Sequence, residues 1–132
     1  MNRSVLSPGR LFTEKDLKKT SVNDLDSLRQ YLRAFDAAWQ PLKSRGKNEI
    51  DVAVEAFQKQ EYEGLKILGD YEAAYRKTIE DMRNISVPAS FRAFHITVLN
   101  YLEKFKISAK LMQNAESDPI QAMLAINERI KV

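Results

Sequence analysis

The chain has 132 residues, of which 44% are hydrophobic and 30% charged, with a formal net charge of +3 and no cysteine. That length suits a single domain able to bury around two-thirds of its unfolded surface, and the composition is ordinary for a globular protein. The lack of cysteine removes disulfides, thiol nucleophiles, thiolate metal sites and iron–sulfur clusters. Only 4 glycines and 4 prolines argue against a β-sandwich with its many tight turns, and no apolar run approaches the ~18 residues of a membrane span.

The positive excess is local. Residues 1–20 hold Arg3, Arg10, Lys15, Lys18 and Lys19 against Glu14 and Asp16, and the rest of the chain balances. A neutral body of mixed sign is a solvated helical surface; a nucleic-acid binder shows a basic face, so no nucleic-acid partner is expected. We read residues 1–20 as a flexible basic N-terminal segment and 21–132 as a helical bundle domain. Ser7-Pro8-Gly9 marks a turn, and Thr13 with Asp16 makes a capping box for a short turn through Leu17.

Ser21, with Asp24 three residues on, introduces the first helix. Its apolar stripe is Val22, Leu25, Leu28, Leu32, Phe35, Trp39 and Leu42, and Pro41 is expected to kink or end it near Trp39. Asn48 caps the second helix, with Ile50, Val54, Phe57, Leu65, Leu68, Tyr75, Ile79 and Met82 on its stripe. Glu61, Gly64 and Gly69 interrupt that pattern, which leaves one helix over 48–84 or two helices broken near 64–70; the continuous charge pattern favours one helix. After a turn at Asn84 to Val87, Pro88 takes the first position of the central helix. There Phe91, His95, Val98, Leu102, Phe105, Ala109 and Met112 alternate by fours and threes, widened by Phe94, Leu99 and Tyr101. Asp118-Pro119 with Gln121 opens a short last helix carrying Ile120, Met123, Leu124, Ile126 and Ile130.

These elements predict an all-α fold, an antiparallel up-and-down helical bundle of three long helices plus a short C-terminal helix. The expected core is Leu28, Leu32, Phe35, Trp39, Leu68, Tyr75, Phe91, Val98, Leu102 and Phe105.

Candidate chemistry is sparse. His95 is the single histidine and falls on the apolar seam, as a ligand or base or as a buried imidazole bonded to a carbonyl, tyrosine or carboxylate. Bundle metal sites need Glu-x-x-His pairs, and position 92 is Arg, so no metal is expected. Haem held by His95 with Met82, Met112 or Met123 is the less favoured ligand reading, because methionines at helical spacing fill cores. No partner motif accompanies a serine or threonine nucleophile, Gly64 and Gly69 lack the rest of a phosphate loop, and Glu61/Glu63 and Glu80/Asp81 read as solvated faces. No catalytic, cofactor-binding or metal residue is therefore assigned. Tyr62, Tyr71 and Tyr101 fit the seams incompletely and form a possible interaction surface, while His95 and Asn100 are buried polar candidates.

The run Phe12-Thr13-Glu14-Lys15-Asp16-Leu17, then Tyr75, Val87-Pro88, His95, Asn100 and Asp118-Pro119, resembles a loose group of uncharacterised helical proteins from small-genome uncultured bacteria, often preceded by a signal anchor. That group's pattern often closes on a tyrosine, where this chain has Ile126-Asn127. The resemblance implies an exported, membrane-anchored domain facing outward in the cell envelope, with no enzymatic activity. The expectation is thus a non-catalytic helical interaction or structural module, monomeric or weakly dimeric, with a protein partner and no cofactor. It would meet the membrane only through an upstream anchor. A cytosolic adaptor starting at Met1 is the alternative, followed by a haem- or small-ligand-binding bundle using His95.

Overall fold

In the computed structural model, which describes residues 12–20, 24–43, 49–59 and 65–131, Asp24 opens the first helix. Its carboxylate accepts the Ser27 N–H at 2.8 Å, and its carbonyl accepts the Leu28 N–H at 3.1 Å. Asp24 is therefore the N-cap of α1, Leu25–Lys43. The Ser21 and Asn48 caps, Val22, Glu61, Tyr62 and Gly64 lie outside the described residues, as do the side chains of Ile50, Phe57 and Ile130. α1 does not end near Trp39 but continues through Pro41. The proline sits in the last turn, so the bond it cannot make is to Ala37 on the exposed face, where water can replace it. Asp36 binds side chains on both sides of that point, accepting from Gln40 Nε2 at 3.1 Å and Lys43 Nζ at 2.7 Å.

The buried face of α1 differs from the expected stripe. Tyr31 and Ala38 are buried, whereas Leu25 and Leu32 are 61% and 52% exposed. Leu32 is therefore not a core residue. The helix is turned so that Tyr31 points inward, where its hydroxyl finds a buried partner.

The expected single helix over 48–84 is two: α2, Glu49–Lys59, and α3, Ile67–Arg83. Gly69 lies inside α3 and not at the break. A Cβ there would stand 2.9 Å from Gln113 Nε2, so the glycine marks a close approach to the next helix. The α3 seam follows its heptads, with Leu68, Tyr71, Tyr75, Thr78, Ile79 and Met82 buried.

Beyond α3 the chain makes a feature that the sequence reading lacked. Residues Lys18–Thr20 form β1 and Ser86–Pro88 form β2, paired in parallel with Lys19 opposite Val87. Pro88 has φ −63° and ψ 153°, an extended residue, so it does not begin the helix. Proline fixes only φ; pairing with β1 sets the rest. A 3₁₀ turn, Ala89–Phe91, leads into α4, Arg92–Gln113. The last helix, α5, spans Pro119–Lys131 with Asp118 as its cap, accepting the Gln121 N–H at 3.3 Å.

The described chain is thus mostly helical. The principal packing is α3 against α4; α1 lies on α3 and β2, and α5 on α4 and α2. Leu68, Met82, Leu99, Leu102 and Met112 are each at most 1% exposed, and Ala53, Ala109, Ala122 and Ala125 fill the close contacts at 0%. Each such Leu or Met stabilises the fold by roughly 1.5–3 kcal/mol through burial. Of the expected core, Leu68, Tyr75 and Leu102 are buried; Leu28, Phe35, Trp39, Phe91, Val98 and Phe105 are partly so. Among the described residues no helix is long and apolar enough to cross a membrane.

Within the N-terminal segment 1–20, residues 12–20 carry local structure. The Thr13 N–H donates to the Asp16 carboxylate at 2.9 Å, capping a 3₁₀ turn over Glu14–Asp16. Leu17 is buried, and β1 joins the body directly afterwards.

Candidate functional site

His95 lies one turn into α4 and is fully buried. Its Nε2 is 2.8 Å from the Met82 carbonyl, and its Nδ1 is 2.8 Å from the Tyr31 hydroxyl. A carbonyl only accepts, so Nε2–H is the donor. The other nitrogen of a neutral imidazole is then an acceptor, and the Tyr31 O–H donates to it. Two neighbours thereby select one neutral tautomer. The Met82 carbonyl also accepts the Ile85 N–H at 3.3 Å, so His95 helps to hold the turn that leads from α3 into β2.

The surroundings are aromatic. The Tyr31 ring stacks on Phe91 at 4.9 Å, and Phe35 meets His95 edge-on at 6.2 Å. Phe35 also stacks on Trp39 at 5.9 Å. Burial pushes the His95 pKa below its ordinary value, partly opposed by the bond to Met82, and burial pushes Tyr31 up to about 12. Both groups are therefore neutral around pH 7. A haem or metal bound at His95 would require it to give up one of its two hydrogen bonds. Among the described residues no three His, Cys, Asp or Glu side chains gather as a metal site.

Asn100, the second polar candidate, is half-buried and serves the N-terminal segment. Its Oδ1 accepts the Phe12 N–H at 2.8 Å and its Nδ2 donates to the Phe12 carbonyl at 3.4 Å. Arg92 donates to the Thr20 carbonyl at 3.0 Å, and Arg83 lies 5.7 Å over the Phe12 ring. His95 and Asn100 thus do separate structural work, one tying helices together and the other clasping the main chain of Phe12.

The three tyrosines expected at the surface part company. Tyr71 is buried at 4% exposure and is not available to a partner. It falls three after Leu68 and four before Tyr75, so the α3 heptad itself marks it as a seam residue. Tyr62 lies outside the described residues. Tyr101 is 45% exposed and leans on Phe105 at 6.1 Å, with the Arg129 guanidinium 4.1 Å over the Phe105 ring. Seven residues earlier on α4, Phe94 is 49% exposed against Phe35 at 5.5 Å. On α5, Ile120 and Met123 are exposed beside Leu124. Sequence reasoning sets Phe94 at the edge of the α4 stripe and does not use Tyr31 at all, although Tyr31 is four before Phe35 and seven before Ala38.

A cleft of about 320 Å³ is lined by Asp16, Arg76, Ile79, Glu80, Arg83 and Asn84. Its charges are of both signs and line an open space beside the docked N-terminal segment. No family model matches the chain, and neither a curated protein nor a solved structure does.

Proposed function

We propose that this chain is a non-catalytic helical interaction or structural module, its sequential helices running antiparallel, up and down. The observation that carries the reading is the pair of half-exposed rings Phe94 and Tyr101, seven residues apart on α4. Large aromatic side chains held at helical spacing by a packed helix offer a rigid contact surface at low entropic cost. The interior supports the same view, because its one imidazole is committed to two structural hydrogen bonds. The resemblance supports a further step: the module faces outward from a membrane anchor in the cell envelope, as a monomer or weak dimer. A cytosolic adaptor would present the same surface in another compartment.

The test is the paired exchange Phe94→Ser and Tyr101→Ser in the full-length protein. The expected result is a melting temperature within a few degrees of wild type together with loss of one specific co-purifying protein. Retention of that partner by the folded variant would overturn the reading. Protease digestion of the protein on intact cells separates the two compartments, since only the outward-facing form is cut before lysis.

A further inference from the structure

Residues 12–20 dock in the manner of a bound peptide. Asn100 takes both main-chain groups of Phe12, at 2.8 Å and 3.4 Å. The Thr20 carbonyl goes to Arg92 at 3.0 Å, and Lys18–Thr20 add a parallel strand to Ser86–Pro88. Two side chains anchor the segment: Phe12, under the Arg83 guanidinium, and Leu17, which is buried. Thr13, Glu14, Lys15, Lys18 and Lys19 face solvent. Main-chain hydrogen bonds with two spaced anchors are the chemistry of peptide capture by strand addition: the backbone supplies generic affinity and the anchor positions supply selectivity. A cleft of about 320 Å³ opens beside the segment, between Asp16 and the α3 residues Arg76, Ile79, Glu80 and Arg83.

Building on the interaction-module reading, we infer that the groove formed by Asn100, Arg83, Arg92 and β2 is a peptide-binding site occupied in this state by the chain's own residues 12–20. Its partner is a peptide with an aromatic residue followed, five positions on and across a 3₁₀ turn, by an aliphatic one, and then by an extended stretch that pairs with β2. The tethered segment competes at the high effective concentration of an intramolecular ligand, so the site answers weakly until the segment is displaced.

The test is fluorescence anisotropy of a fluorescein-labelled peptide spanning residues 12–20, titrated with full-length protein. Leu17→Ser removes an anchor from the tethered copy and leaves the groove intact; it is expected to tighten peptide binding at least tenfold over wild type. Adding Asn100→Leu removes the clasp and is expected to reverse that gain at least tenfold. A control peptide with serine at the positions of Phe12 and Leu17 is expected not to bind. Should Leu17→Ser unfold the protein by circular dichroism, Phe12→Ala carries the same test. Unfolding of both variants would make the segment an integral part of the fold and overturn the inference. So would a folded variant that binds no more tightly than wild type, or equal binding of the control peptide. Phe94 and Tyr101 are not among the groove residues, so failure of that surface leaves this titration readable, and the reverse also holds.

Discussion

Replacing His95 by glutamine separates protonation from hydrogen bonding at one buried position. In the folded chain the imidazole is neutral, with Nε2–H on the Met82 carbonyl and Nδ1 accepting from Tyr31. A glutamine carboxamide can give one N–H to the Met82 carbonyl and take the Tyr31 O–H on its oxygen, with a second N–H left over, so His95→Gln keeps both bonds and loses ring packing and titration. The packing loss is expected to be about 1–3 kcal/mol, the range for trimming a buried side chain. The titration effect has a definite sign. The folded-state pKa of His95 lies below its ordinary 6.5 because burial disfavours the imidazolium. Between those two values the unfolded chain binds more protons than the folded one. Stability is therefore full above pH 6.5 and falls as pH drops towards the folded pKa, by up to about 1.4 kcal/mol per unit. Asp24 and Asp36 have pKa values lowered by hydrogen bonds from Ser27 and Lys43, and they lose their contribution only below their ordinary 3.8. The two windows do not overlap above pH 4.5. Urea unfolding at pH 7.5, 6.5, 5.5 and 4.5 reads the difference directly. Wild type is expected to lose stability below 6.5 while His95→Gln stays flat. A wild type that gains stability over that range, or a variant with the same slope, would refute the neutral-tautomer assignment.

Three further substitutions test this node and the packing of α3. Tyr31→Phe removes the donor to Nδ1 and leaves a buried acceptor alone; it is expected to cost about 1–3 kcal/mol in urea unfolding with little change in helix content. Gly69→Ala gains up to about 1 kcal/mol of helix propensity, and the atom it meets is the mobile end of Gln113, at 2.9 Å. Calorimetry is expected to show a higher melting temperature, and a fall would mean that Gln113 cannot move aside. Thr78 is fully buried in α3, and its Oγ1 has no hydrogen-bond partner among the described residues. Thr78→Val is therefore expected to stabilise by about 1 kcal/mol, and destabilisation would reveal a bond made by that hydroxyl.

How far the sequence foretold this structure depends on the length over which each signal repeats. The α3 and α4 seams run for several heptads, and Leu68, Tyr75, Met82, Leu102 and Met112 fell where the spacing put them. On α1 the alternation of threes and fours runs through Leu25 and Leu32 and passes over Tyr31 and Ala38. Periodicity alone does not choose between adjacent faces when both are apolar, and here the Tyr31–His95 bond and the small Ala38 choose. The β1–β2 pair is only three residues long on each strand and joins segments far apart in sequence. No local pattern announces such a pairing, and without it Pro88 looks like a helix start.

His95 is legible as a buried, bonded imidazole, but its partners are not, because a histidine on a seam can donate to a carbonyl or carboxylate or bond a tyrosine equally well. Asn100 was singled out for burial. Its actual role, holding the main chain of Phe12, leaves no trace in side-chain pattern, since a peptide backbone is the same under every residue. The surface was hardest to foresee. Tyr71 is buried on the α3 seam that its own spacing marks, whereas Phe94 is half-exposed because exposure at a helix edge depends on how closely neighbouring elements approach α4.

The most direct test of the interaction-module reading places a photo-cross-linking amino acid at position 101 of the native full-length protein in its own cells, with position 77 on an exposed polar stretch of α3 as reference. The account predicts one discrete adduct from position 101, lost on Phe94→Ser, and none from position 77. Equal, diffuse labelling from both positions would contradict it.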